Sequence, residues 1–556
     1  MTAAPHARQR LWAQAGLAAI LAQPFLRAAT FVACALLLYA PKYLIGQRPP
    51  GWLSVVFGGT LSLGALLLAR LDALSRTRER LSRHGLGIVV AASLLVAGAS
   101  IAYVIFQFEL FSPWPDSAKL ARALWLVVQG QGVAPVLGLD VPPQTHVTPT
   151  WLLLLPTYAL VPTHLTMLVS RTVLMAAAAI PLFLVVSRWL PKDVAVGMTL
   201  AYLLNFTTVY HLTGGAYEMQ LFPLVFFLAC WAFERQWFGA WLMALWLIGG
   251  VREEVICVLF AFALLAYRRK MPARYWVGGA LLGAAWLLVS YELLLGLSRG
   301  GYAVRYHYAF ARPATGLARW LNAANLYFVY GVGLPFALVL PFLGSSVLLV
   351  LPVFLGILSI SYPLAKVPFL QYGLPVVCGF VYASARHIAR LASRCSRPAG
   401  DRLTVLLGTL VLVLTVVQTL EHFSYEKSLH PPFGGTVSVP IPTESPIRND
   451  PQAFRVWIAA LRETIRRIPD GHQAAVPAHV MAHLPHQPDP LDYGYERLGR
   501  LPEFVLVDNN TADHDLMPRM PEIRRRLRES YQVAYAKNGV VLYSRREPPS
   551  KKTKFP

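Results

Sequence analysis

Uncharged apolar runs of about 18–24 residues recur along this chain, and a helix of that length crosses the roughly 30 Å of hydrocarbon in a bilayer. Residues 403–420 form one such run and residues 276–290 lie inside another. With no water to satisfy backbone amides in that layer, the runs predict helices packed side by side. A chain of 556 residues that is 56% apolar and only 14% charged is no ordinary soluble multidomain enzyme.

The formal charge of +22 would suggest nucleic acid if it lay on a soluble surface. Here the basic residues occupy short links between apolar runs: Arg76, Arg78, Arg80 and Arg83; Arg268, Arg269, Lys270 and Arg274; Arg386, Arg390, Arg394 and Arg402. That is the positive-inside pattern of membrane proteins. No basic stripe interleaved with aromatics marks a soluble segment, so nucleic acid is not an expected partner. Of the five cysteines, Cys34, Cys230, Cys257 and Cys378 lie in apolar runs and Cys395 in a basic link. The tail therefore carries no disulfide framework.

Taking apolar runs as spans predicts an all-α polytopic membrane protein of about 11–13 transmembrane helices. Expected spans include 85–108, 165–187, 194–210, 221–233, 238–250, 255–267, 322–343, 367–385 and 403–420. The first long run, 28–46, reads as a retained helix because no small-residue cleavage site follows it. Residues 1–84 then form a cytoplasmic segment with two extra helices, 85–420 a transmembrane domain with a large outer loop at 109–147, and 421–556 a soluble extracytoplasmic α/β domain. Arg-rich links 71–84, 188–193, 234–237, 268–275 and 386–402 all fall on one side, which assigns that side to the cytoplasm. The link 299–319, with Arg305 and Arg312, falls on the outer face against the rule. Residues 148–163, broken by Pro149, Pro156 and Pro162, are too kinked for an ordinary span.

Several ionisable residues map to the outer face under this topology. Asp116 follows an emerging span, where a carboxylate can accept a proton from a substrate hydroxyl or hold a divalent cation, Mg or Mn. Placed directly before a helical segment, it also fits an N-cap. His146 ends the outer loop, Glu218 lies between two spans, and Arg252, Glu253 and Glu254 form a turn between two more. Glutamates pairing with Arg252 would satisfy a purely structural account. Acids and arginines around an apolar groove suit a lipid-tailed substrate with a phosphate head, the arginine taking the phosphate and a carboxylate the hydroxyl. In the soluble tail His479, His483 and His486 have helical spacing, but no carboxylate or Cys completes a metal set.

These stretches, in this order, resemble the family of predicted membrane proteins known as domain of unknown function 2079, related to the GT-C glycosyltransferases. From about residue 103 onward the resemblance rests on Asp116 followed by Leu124-Trp125, Thr145-His146-Val147-Thr148-Pro149, Glu218-Met219-Gln220-Leu221-Phe222-Pro223, Arg252-Glu253-Glu254, Gln371-Tyr372-Gly373-Leu374-Pro375 and Phe504–Asp508. The family shows Phe before the acid and Gly and Gln after it, whereas Pro115, Ala118 and Arg122 stand here. The resemblance implies a GT-C-like helical bundle and inverting transfer from a polyprenyl-phosphate sugar to an acceptor on the outer face. It makes Asp116 the base or metal ligand and implies phosphate contacts by outer arginines such as Arg252 or Arg305, with a lipid-linked sugar and membrane lipid as partners. Joined to the outer-face mapping of the ionisable residues, it leads to Glu218 and Glu254 as further catalytic acids and to His146, Arg252, Arg305, Arg312 and Tyr372 as expected substrate contacts. The competing readings are a transporter or flippase of a lipid-linked substrate, which predicts acids buried in mid-span and internal repeats, and a non-enzymatic scaffold.

Overall fold

The computed structural model describes residues 22–44, 59–66, 75–111, 115–133, 146–214, 217–298, 320, 322–360, 366–367, 372–425, 451–469, 472, 474–481, 483–484, 502–509, 525 and 527–546. The fold is an all-helical bundle with a small sheet at the C-terminal end. Helix Ser75–Glu109, 35 residues long, would measure about 52 Å at 1.5 Å per residue. By length and composition this helix, His164–Val186 and Arg397–Leu420 can each cross a membrane, and Phe206–Thr213 with Glu218–Glu234 forms a fourth candidate bent by 113°.

Some expected single spans are broken. Residues 194–210 form two helices, because the Asn205 side chain accepts the Thr207 amide at 3.0 Å and starts a new helix there. The run 322–343 ends its helix at Gly333 and continues as two 3-10 turns, each with a proline at its start, while Ala337 and Leu338 take positive φ of 52° and 56°. A proline lacks the amide that a continuing helix needs. Helices Phe238–Gly249 and Ile256–Arg268 have 12 and 13 residues, shorter than a full crossing. Residues 148–163 form a 3-10 turn and a short helix, Pro149–Leu154 and Leu155–Leu160.

Five basic links meet at one end of the bundle. Arg78 pairs with Asp193 at 2.6 Å, and Glu234 accepts Arg269 at 2.5 Å, Arg386 at 2.7 Å and the Tyr382 hydroxyl at 2.8 Å. The Arg386 guanidinium lies over Trp189, 4.7 Å from the ring centroid, joining the two sets. These charges were grouped in the sequence by spacing alone, and contacts now group them in space.

At the other end of helix Ser75–Glu109 sits the C-terminal domain. Its strands β1 (Ala474–Ala475), β2 (Phe504–Asp508), β3 (Tyr531–Lys537) and β4 (Val540–Arg545) form one sheet in the order β1-β2-β4-β3, with β1 and β2 parallel and the other pairs antiparallel. Between β3 and β4, Asn538 and Gly539 have φ of 46° and 81°, the two-residue turn whose twist matches paired strands. Helix Pro451–Ile465 buries Trp457, Ile458 and Leu461 in a core shared with Leu506 and Leu542 of the sheet, and Trp457 donates to Asp508 at 2.9 Å.

Phe111 and Ala118 belong to that same core, which seats the domain on the bundle. The His483 ring stacks on Phe108 and Phe111, with centroids 4.3 and 4.0 Å away. The His479 side chain and His486 lie outside the described residues.

Glu463 joins the helix to the hairpin. Hydrogen bonds from Lys537, Tyr535 and Arg467 bring its carboxyl down to about 2 from 4.5. A depressed carboxyl pKa contributes stability above the unfolded value and loses it as pH falls through the folded one. Acidification between about pH 4.5 and 2 is therefore expected to loosen this contact, and Glu463→Gln to flatten that part of the curve, as read by fluorescence-monitored unfolding against pH.

Candidate functional site

The site is built around a tight junction at the end of helix Phe238–Gly249. An added Cβ at Gly249 would lie 2.2 Å from Trp286, and one at Gly250 would lie 2.7 Å from Thr150 Oγ1 and 3.0 Å from Pro149. Two consecutive glycines thus let an indole close on one side and the Pro149–Leu154 turn on the other. The approach is fixed by the Thr150 amide donating to the Gly250 carbonyl at 3.0 Å and the Thr150 hydroxyl to the Leu247 carbonyl at 2.5 Å. These bonds bring His146 to the turn Glu253–Val255, where Nδ1 lies 2.5 Å from Glu253 Oε1.

Arg252, in extended backbone just before that turn, is fully buried. Its Nε lies 2.7 Å from Glu254 Oε2, one Nη 3.7 Å from Glu218 Oε2, and the other donates to the Tyr372 hydroxyl at 3.4 Å. The guanidinium also stands 5.2 Å from the Tyr372 ring centroid, within cation–π range. A buried guanidinium is costly unless carboxylates flank it, and here two do. Burial pushes the Glu254 carboxyl up despite the opposing pull of Arg252, so it holds a proton more readily than an exposed glutamate.

Glu218 owes its place to the break in the bent pair. Arg171, buried in its helix, donates to the carbonyls of His211 and Gly214, occupying the exposed end of helix Phe206–Thr213. Gln220 donates to the His211 carbonyl at 3.0 Å and accepts the Tyr217 amide at 3.1 Å. The two side chains clamp the turn Glu218–Leu221 on which the acid sits.

His146, Glu218, Arg252, Glu254 and Tyr372 are thus brought into one constellation from four separate stretches of chain. Asp116 falls in helix Pro115–Val128, which packs on Leu155–Leu160 and His164–Ala177; its side chain lies outside the described residues. Arg305 and Arg312 also lie outside them. Glu253, read in the sequence as one of the turn's acids without a role, is the partner of His146. The sequence assigns Arg171 and the Gly249-Gly250 pair no role and marks Gln220 only as part of the stretch 218–223, though adjacent glycines before Arg-Glu-Glu signal a close backbone approach.

Residues 144–542 match the family model described as "Predicted membrane protein (DUF2079)". The chain belongs to this family. The DUF2079 match opens two residues before His146 and includes every member of the constellation, while Asp116 precedes it. Among solved structures the DUF2079 chain is similar to ArnT from Cupriavidus metallidurans in the apo state, at 12% identity and a TM-score of 0.47, covering 82% of this chain and 97% of that one. The same protein bound to undecaprenyl phosphate gives 12% identity, a TM-score of 0.44 and equal coverage. No curated protein matches.

Proposed function

We propose that this DUF2079 protein is a GT-C-type glycosyltransferase that moves a sugar from a polyprenyl-phosphate donor to an acceptor on the outer face of the membrane. The observation that carries the reading is the buried Arg252 between Glu218 and Glu254, beside the His146–Glu253 pair. Arginine presents a fork of donors suited to phosphate oxygens, and its charge in a poorly hydrated site acts strongly on them. Glu254, whose burial favours the protonated form, suits a general base that takes the acceptor proton.

In an inverting transfer the acceptor oxygen attacks the anomeric carbon while the bond from that carbon to the phosphate oxygen breaks. The electron pair leaves on the polyprenyl phosphate beside Arg252, and the proton passes to a carboxylate. By the family resemblance Asp116 serves as a further base or ligand on the neighbouring helix. The basic links at the opposite end of the bundle favour an outer site, with the N-terminus cytoplasmic and the C-terminal domain outside. A lipid-linked donor then enters sideways from the outer leaflet.

The test uses purified protein in nanodiscs with a radiolabelled polyprenyl-phosphate sugar. Release of labelled sugar to acceptor or water is expected, falling at least about a hundredfold in Glu254→Gln, since a positioned base contributes 10²–10⁴-fold. Polyprenyl phosphate should raise the thermal midpoint where polyprenol does not. Equal stabilisation by both lipids together with no release would reject the reading.

A further inference from the structure

We propose that His146, Glu253 and Glu254 form a divalent-cation site that takes a borderline transition-metal ion, Mn2+ or Zn2+. One ligand atom from each of the three lies within 4.8 Å of the others. Ligands on a shared ion with bonds near 2.1 Å sit about 3–4 Å apart, so small side-chain rotations would close the set.

Charge supports the same conclusion. Among the described residues, three carboxylates, Glu218, Glu253 and Glu254, gather around the single guanidinium of Arg252, with His146 beside them, and none of these side chains is more than 17% exposed. A divalent cation would be drawn to such a carboxylate-rich cluster while leaving the imidazole neutral, the form that binds metal.

A second, independent feature points to a missing ligand. Glu254 turns Oε2 toward Arg252, but its Oε1 is shut off from solvent and has no hydrogen-bond partner among the described residues. One carboxylate oxygen of Glu254 lies within 4.8 Å of ligand atoms of both His146 and Glu253. The ligands are also held in advance of any ion: the amide and hydroxyl of Thr150 donate to the Gly250 and Leu247 carbonyls and so fasten the His146 segment to the end of helix Phe238–Gly249, four residues before Glu253.

The mixed donor set chooses the metal. Mg2+ and Ca2+ prefer all-oxygen shells, while an imidazole with two carboxylates suits Mn2+ or Zn2+. Three protein ligands would leave a coordination position for an anionic oxygen near Arg252.

Binding can be read without any transfer assay, so its failure is separate from failure of the glycosyltransferase reading. Full-length protein in nanodiscs is stripped with EDTA and equilibrated with Mn2+, Zn2+ or Mg2+, and bound metal is counted per chain by mass spectrometry, with Mn2+ also followed by electron paramagnetic resonance. One Mn2+ or Zn2+ per chain is expected, and affinity should fall at least about tenfold in His146→Ala, Glu253→Gln and Glu254→Gln. His472→Ala, in the C-terminal domain, should bind as the parent does. The near-isosteric Glu253→Gln carries the test if His146→Ala does not elute as a single species. Metal well below one ion per chain in the parent, undiminished binding in the glutamine variants, loss confined to His472→Ala, or Mg2+ binding as tightly as Mn2+ would each overturn the site.

Discussion

Arg252→Ala is expected to destabilise the protein by roughly 3–5 kcal/mol, the usual cost of removing one partner from a buried ion pair. The guanidinium is fully buried and faces Glu254 at 2.7 Å and Glu218 at 3.7 Å, so truncation leaves two carboxylates without their counterion. Adding Glu254→Gln to this variant removes one orphaned charge and should recover part of the loss.

The sign of the pH effect follows. Without Arg252 the Glu254 carboxyl, already pushed up by burial, rises further, so the folded state binds its proton more readily than the unfolded chain. The penalty is then largest at neutral and alkaline pH and shrinks as pH falls toward 4.5. Unfolding in mixed micelles at pH 5 and pH 8 measures both effects. A variant as stable as the parent at pH 8 would show that the buried pair does not hold the turn.

Gly250→Ala tests how the site is assembled. Gly250 has φ −86° and ψ 2°, which alanine adopts without strain, so any effect comes from the neighbours. The new methyl would press on Thr150 Oγ1 at 2.7 Å and on the Pro149 ring at 3.0 Å, neither on a long flexible chain that could swing away. Overpacking of this kind typically costs about 1–3 kcal/mol. Displacing the 149–154 turn also carries His146 away from Glu253, whereas Arg252 and Glu254 share a segment and stay paired. Metal binding should therefore fall more than stability does. Parent-like unfolding with full metal occupancy would mean that the junction tolerates the extra methyl and the close approach is not needed.

Much of this was written in the chain. Apolar runs specify helices because hydrocarbon gives backbone amides no other partner, and alternating residues around Asn538-Gly539 specify the hairpin through the turn geometry those residues permit. Arg252-Glu253-Glu254 stood out because three adjacent charges between apolar runs are expensive. Breaks within runs were less legible: whether Pro335 and Pro341 kink a helix or end it depends on neighbouring elements.

Tertiary structure decided the rest. The sequence determined that Glu218, Arg252 and Glu254 would be costly near membrane depth, since that property is local, and it marked His146 and Tyr372 only by their place in the outer loop and in the family-like stretches. Only the packed bundle determined which carboxylate meets which cation, pairing His146 with Glu253 across 107 positions and Arg252 with Tyr372 across 120. Those distances are set by glycines that let segments touch and by Arg171 and Gln220 bonding backbone carbonyls, and contacts between segments so far apart leave no periodicity in the chain.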